Sequence, residues 1–301
     1  MRGRRARNAG AVLAVAALAG CGDSAVVVGA KDFLEQDVLA EIVAQELEAR
    51  GVEVERRLHL GGTHLAHQAV RSGRIDLYVE YSGTVLVEIL DQPPLGDPEE
   101  VYRVVEREYL DRWELVTGPP LGFENTFAFV VRRADADSLA LDTITDLASV
   151  SPEWTIGVGP EFLDRADGYP GVTRAYGLRF DGVRQMDLGL LYRALEEGRI
   201  DVAVGNSTDG QIAALDLVVL RDDRLFFPPY QAIPVVRRET LERHPDVWPV
   251  LEALGGAVSA ATMRELNRAV VEGNEDVATI VRRFRAARAA PAAPVEEEGI
   301  R

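Results

Sequence analysis

Three aromatic residues stand where this chain turns. Tyr81 closes a strand-like run ahead of Ser82-Gly83-Thr84, Phe127 opens another after Glu124-Asn125-Thr126, and Tyr230 ends the turn Phe227-Pro228-Pro229. Several ring faces around one point suit a cation that donates no hydrogen bonds, because the ring quadrupole attracts a trimethylammonium group without needing an acceptor. Phe127 alone reads equally well as a core residue. Lys31 and Arg165 could hold a carboxylate at the other end of such a molecule. Thr84, at the start of a helix, would add backbone N–H groups that favour an anion. Lys31 is the only lysine among 33 basic residues, which makes its position informative.

Signatures of enzyme chemistry are missing. The chain has no Gly-x-Ser-x-Gly, no phosphate-binding Gly-rich loop and no His-Glu-x-x-His. His64 and His67 lie three apart at a helix start, but no third ligand sits at a convincing spacing, so both read as solvated imidazoles and no metal is expected. No cofactor is expected either.

The elements that must position these residues alternate between strand and helix, the pattern of an α/β fold. Strands are expected near 25–28, 52–58, 75–79, 126–131, 155–158, 202–205 and 232–236. Helices are expected over 36–50, 63–70, 83–90, 98–113, 190–197, 249–254, 260–273 and 275–288. An internal echo organises them: Gly-Arg-Ile-Asp occurs at 73–76 and again at 198–201, each time between a helix and a strand that ends in a polar loop. The echo predicts two similar α/β domains. Ligands of open α/β sheets bind beyond the carboxyl ends of strands, so Tyr81 and Asn206, which end the two copies, should face each other across a cleft.

Composition narrows the function classes. With 47% hydrophobic and 27% charged residues the chain can bury a substantial core, and a net charge of -16 repels phosphate backbones, so nucleic acid is not an expected partner. Cys21 is the sole cysteine. It follows four arginines at 2, 4, 5 and 7 and an apolar run over 11–19, the outline of a secretory signal peptide over 1–20. Leu18-Ala19-Gly20-Cys21 is similar to the lipobox of bacterial lipoproteins, which implies lipidation of Cys21 and a membrane tether. The Ala/Pro-rich and Glu-rich residues 289–301 read as a disordered acidic tail.

Longer motifs carry a second resemblance. Val28-Gly29-Ala30-Lys31-Asp32-Phe33-Leu34-Glu35-Gln36 and Ile75-Asp76-Leu77-Tyr78-Val79-Glu80-Tyr81-Ser82-Gly83-Thr84 are similar to segments of the substrate-binding proteins of glycine betaine/choline osmoprotectant ABC transporters. So are Gly122-Phe123-Glu124-Asn125-Thr126-Phe127, Glu161-Phe162-Leu163-Asp164-Arg165-Ala166-Asp167-Gly168, Ser207-Thr208-Asp209-Gly210 and Pro228-Pro229-Tyr230. The resemblance implies a two-domain periplasmic-binding-protein fold of type II, with lobe 1 over 21–122 and 232–288, lobe 2 over 123–231, two crossings and ligand in the cleft between them. It places Tyr81, Phe127 and Tyr230 at cage positions, Asn125 beside the cage, and Lys31, Thr84 and Arg165 at carboxylate contacts. Asn206 stands where some relatives have a further cage aromatic, and Phe127 where a Tyr is common.

The implied protein performs no chemistry. It would capture a betaine-type quaternary-ammonium ligand on the periplasmic or extracellular side, anchored to the membrane through Cys21, and deliver it to ABC permease and ATPase subunits. The alternatives are a binding protein for another small zwitterion and a sensor that presents its ligand to a receptor.

Overall fold

The repeated Gly-Arg-Ile-Asp builds the same joint twice. Gly73 and Gly198 take left-handed φ angles of 72° and 67° and end their helices, as a residue without Cβ does most easily. Ile75 and Ile200 then cover glycines of the neighbouring strands, since a Cβ on Gly29 would lie 2.5 Å from Ile75 Cδ1 and one on Gly157 2.4 Å from Ile200 Cδ1. Asp76 Oδ2 accepts from the Val27 N–H at 2.8 Å, and Asp201 Oδ2 accepts from the Thr155 N–H at 2.8 Å. Each copy thereby ties a helix–strand turn to the start of an adjacent strand.

A computed structural model describes residues 25–273 and 275–289. The expected signal peptide, Cys21 and all but the first residue of the expected acidic tail lie outside the described residues. Among the described residues ten strands form two five-stranded mixed sheets. The first contains β1 (Val26–Gly29), β2 (Val54–Arg57), β3 (Leu77–Tyr81), β4 (Leu115–Thr117) and β10 (Ala232–Arg237), ordered β2-β1-β3-β10-β4. The second contains β5 (Phe127–Arg132), β6 (Thr155–Val158), β7 (Gly182–Gln185), β8 (Val202–Asn206) and β9 (Leu217–Leu220), ordered β7-β6-β8-β5-β9. In each sheet three parallel strands meet one antiparallel strand, β10 or β5, and that strand is the first one laid down after the chain changes sheet. The echoed strands β3 and β8 occupy the same central place.

Apolar clusters cover both faces of both sheets, which is why β3 is buried along its whole length. Chain passes between the sheets at 118–126 and 221–231, and the two passages pair through an antiparallel bridge between Glu124 and Gln231. Helices Val247–Leu254, Ala260–Glu272 and Val277–Ala289 follow β10, and Gln45 on helix Leu34–Glu48 donates to the Ala278 carbonyl at 2.8 Å. Helix Ala260–Glu272 also reaches the second sheet's side: Asn267 Nδ2 donates to the Thr208 carbonyl at 2.9 Å, and Gly210 lies so close to Arg268 that a Cβ would meet its backbone at 2.5 Å.

Two expectations are corrected. The helix expected over 83–90 is a short α turn, Ser82–Thr84, running into a π-helical segment, Val85–Ile89, an irregularity that recurs near functional sites. His67 is not solvated: helix Thr63–Arg71 turns positions 63, 66, 67 and 70 inward at helical spacing, and the imidazole is 5% exposed. Its ring packs 4.5 Å from Trp113 and 5.4 Å from Tyr109, whereas the His64 side chain is exposed. Edge strands β4, β7 and β9 were not expected, since they are three or four residues long and β7 is mostly exposed, with no periodic apolar face.

Candidate functional site

Strand ends deliver the site. Lys31 follows β1, Tyr81 ends β3 and Asn206 ends β8. Phe127 opens β5, Asn125 lies in the outgoing passage and Tyr230 in the returning one, Arg165 sits in the loop beyond β6, and Thr84 stands one turn beyond Tyr81. All eight line a single cavity of about 520 Å³ between the two sheets. Across the ladder of β5 and β8, Phe127 and Asn206 are direct partners.

The rings form two groups. Phe33 stacks on Tyr81 with centroids 6.3 Å apart and planes at 27°. Phe127 meets Tyr230 edge to face at 5.8 Å and 81°, and meets Phe162 at 4.8 Å. Each tyrosine hydroxyl is committed to a carboxylate: Tyr81 donates to Glu35 at 2.6 Å, Tyr230 to Asp167, and Tyr192 to Asp209 at 2.7 Å. Such bonds lock the rings in place and enrich them in electron density, both of which favour a cation at their faces.

Neither basic residue is an isolated charge. Lys31 Nζ pairs with the wholly buried Glu80 and lies 5.0 Å from the Tyr81 centroid and 5.6 Å from that of Phe33. Arg165 grips Asp167 through Nε and Nη2 at 2.8 and 2.6 Å, and its guanidinium carbon lies 5.2 Å from the Phe127 centroid. A buried ion pair with its counter-ion held this tightly presents directed N–H donors rather than a net positive charge.

Sequence reasoning missed the hub of the site. Glu35, in the first turn of helix Leu34–Glu48, is 2% exposed and accepts from four donors: the Tyr81 hydroxyl and Asn125 Nδ2 on Oε1, the Thr208 hydroxyl and Asn267 Nδ2 on Oε2. Burial pushes its carboxyl above the ordinary range although these bonds favour the anion. Because Asn125 spends its amide N–H on Glu35, its Oδ1 is left buried and without a partner at the cavity wall. Also missed were Phe33, Phe162 and Tyr192, whose apolar surroundings match an ordinary core stripe, and Asp209, which sits in a turn where an Asp is expected anyway.

Glu161 joins the two sides directly. Its Oε1 accepts from the Thr63 N–H at 2.8 Å, at the first turn of helix Thr63–Arg71, and a Cβ on Gly62 would stand 2.0 Å from that oxygen. The carboxylate satisfies one of the unpaired amides that open every helix and faces the positive end of its dipole.

Residues 24–287 match the family model described as the substrate-binding domain of the ABC-type glycine betaine transport system. The chain is 34% identical over 253 residues to the carnitine transport binding protein OpuCC of Listeria monocytogenes, covering 83% of this chain and 82% of that one. It is 36% identical over 255 residues to a glycine-betaine-binding protein of Pseudomonas aeruginosa, covering 81% of each. A solved structure titled as a glycine betaine/carnitine/choline ABC transporter aligns with a TM-score of 0.75 at 32% identity, over 87% of this chain and 98% of that one.

Proposed function

The chain belongs to the family of substrate-binding domains of ABC-type glycine betaine transport systems and has its type II binding-protein fold, and on that premise we propose that it captures a betaine-type quaternary-ammonium zwitterion in the cavity between its sheets. Substrate-binding proteins of ABC importers work outside the cytoplasm, and among the described residues no helix is long and apolar enough to cross a membrane. The observation that carries the ligand assignment is the convergence of Tyr81, Phe127 and Tyr230 with Lys31 and Arg165 on one cavity.

In this reading the trimethylammonium head sits among the three rings, with Asn125 at the wall beside them. The ligand carboxylate takes N–H donors of Lys31 and Arg165 that Glu80 and Asp167 leave over, with the Thr84 hydroxyl beside them. Closure of the two lobes then buries the ligand, and release requires their separation. No step makes or breaks a covalent bond, in keeping with relatives that are solute-binding proteins. ABC permease and ATPase subunits are the partners. Lipidation of Cys21, supported by Leu18-Ala19-Gly20-Cys21, would hold the protein at the membrane.

Calorimetric titration of residues 22–301 with glycine betaine, choline, carnitine and proline betaine tests the ligand class. Saturable heat with at least one of them, abolished by Tyr230→Ala with the fold intact by circular dichroism, is the expected result. Failure of all four to bind would overturn the assignment.

A further inference from the structure

We infer that Asn206 and Asp209 form a polar wall beside the Phe127 ring that selects, among quaternary-ammonium ligands, those carrying a hydroxyl or N–H donor next to the charged head. The inference rests on the ligand reading above and deepens it.

Three observations place the wall. Asn206 is the ladder partner of Phe127, and residues directly opposite each other on antiparallel strands put their side chains on the same face about 5 Å apart. The Asn206 amide therefore flanks the ring that would receive the ammonium head, and it is half-buried at the cavity wall. Three residues on, the Asp209 carboxylate is held from behind: the Tyr192 hydroxyl and the Asn206 N–H both donate to Oδ2, at 2.7 and 2.8 Å. The Asn206 side chain also hydrogen-bonds this carboxylate, so the two residues form one braced unit at the cavity wall whose remaining capacity is to accept.

The arrangement is built into the backbone. A Cβ on Gly205 would lie 2.0 Å from the Tyr192 hydroxyl and 2.9 Å from Asp209 Oδ2, so only glycine lets the tyrosine and the carboxylate meet behind the strand. A ring at position 206 would have offered a cation another π face. An amide beside a fixed carboxylate offers acceptors instead, and a polar wall discriminates strongly against a ligand that leaves its groups unpaired.

L-carnitine and γ-butyrobetaine differ by one hydroxyl near the ammonium head and make the test direct. The full mature chain is titrated with both by calorimetry, with tetramethylammonium as a probe of the cage alone, and again as Asn206→Ala and Asp209→Asn. The expected result is carnitine binding about tenfold tighter than γ-butyrobetaine, with that ratio falling to within about twofold in either variant. Equal affinities in the unsubstituted protein, or a ratio that survives both substitutions, would overturn the inference while leaving the ligand class standing. Absence of binding by all three probes in a protein that still binds glycine betaine would overturn the inference alone, and only failure of the four ligands named above as well would overturn the ligand class with it.

Discussion

The Tyr81 hydroxyl donates to Glu35 Oε1 at 2.6 Å, tying the end of the central strand of one sheet to a carboxylate that also holds Thr208 from the other. Glu35 is thus both the brace of the Tyr81 ring and a strut between the two sheets' sides. Tyr81→Phe keeps the ring face and removes one of four donors, and a single hydrogen bond to a buried charged group is worth about 1.5–3 kcal/mol. Denaturant unfolding of Tyr81→Phe is expected to show a loss within that range, with ligand still bound. Glu35→Gln should cost more, because its amide NH₂ must face donors from Thr208 and Asn267 or from Tyr81 and Asn125. A Glu35→Gln protein as stable as Tyr81→Phe would show that the four-donor hub does not hold the lobes.

How far residues alone disclosed this arrangement depended on the range of the interaction. The echo at 73–76 and 198–201 could be read because every part of it acts locally: a left-handed glycine, an isoleucine over the next strand's glycine and an aspartate on that strand's N–H. Tyr81, Phe127 and Tyr230 could be singled out because turn residues flank them. Glu35 could not, since an acidic residue in the first turn of a helix already has a reason to be there in the helix dipole. Its partners Asn125, Thr208 and Asn267 lie 90, 173 and 232 residues away. The counter-ions Glu80 and Asp167 were hidden likewise, one in a strand and one in a turn, so Lys31 and Arg165 read as net charges where the fold makes them donors.

His67 predicts a pH dependence unrelated to the ligand. Burial, with a smaller push from the Arg71 charge, brings its imidazole down to about 4 in the folded protein against an ordinary value of 6.5. The unfolded chain therefore binds the proton more readily, and stability is full above about pH 6.5 and falls as pH drops toward 4. The loss attributable to this group approaches about 3 kcal/mol at the acid end. Melting temperatures of the protein and of His67→Gln across this interval should converge as pH falls. Parallel curves would mean that the imidazole is protonated in place.

Glu161 and Gly62 predict how the cleft is held shut. The Glu161 carboxylate bridges to the Thr63 N–H only because Gly62 has no side chain, and a charge at a helix N-terminus contributes about 0.3–1 kcal/mol. Glu161→Ala and Gly62→Ala should each shift the ligand-free protein toward open forms, seen as a larger radius of gyration in small-angle scattering that saturating ligand narrows. The dissociation rate should rise roughly two- to fivefold, as that energy converts. Faster dissociation in Glu161→Ala but not in Gly62→Ala would argue that Glu161 touches the ligand instead of the helix.

Lys31 offers a readout of the cleft that needs no added probe. It is the only lysine, so amine-directed reductive methylation has just two targets, Nζ of Lys31 and the chain's α-amino group. Nζ is paired with buried Glu80 and covered by Tyr81 and Phe33, and the residue is 4% exposed. Modification should therefore proceed only through opening of the lobes, slowly in the free protein and more slowly still with a ligand that holds them closed. Mass spectrometry separates the two sites. Glu80→Gln removes the counter-ion and should speed methylation of Lys31 relative to the α-amino group, which serves as the internal reference. If Lys31 reacts as fast as the α-amino group and ligand makes no difference, the Lys31–Glu80 pair is not the closed, desolvated contact that the proposed carboxylate end of the site requires.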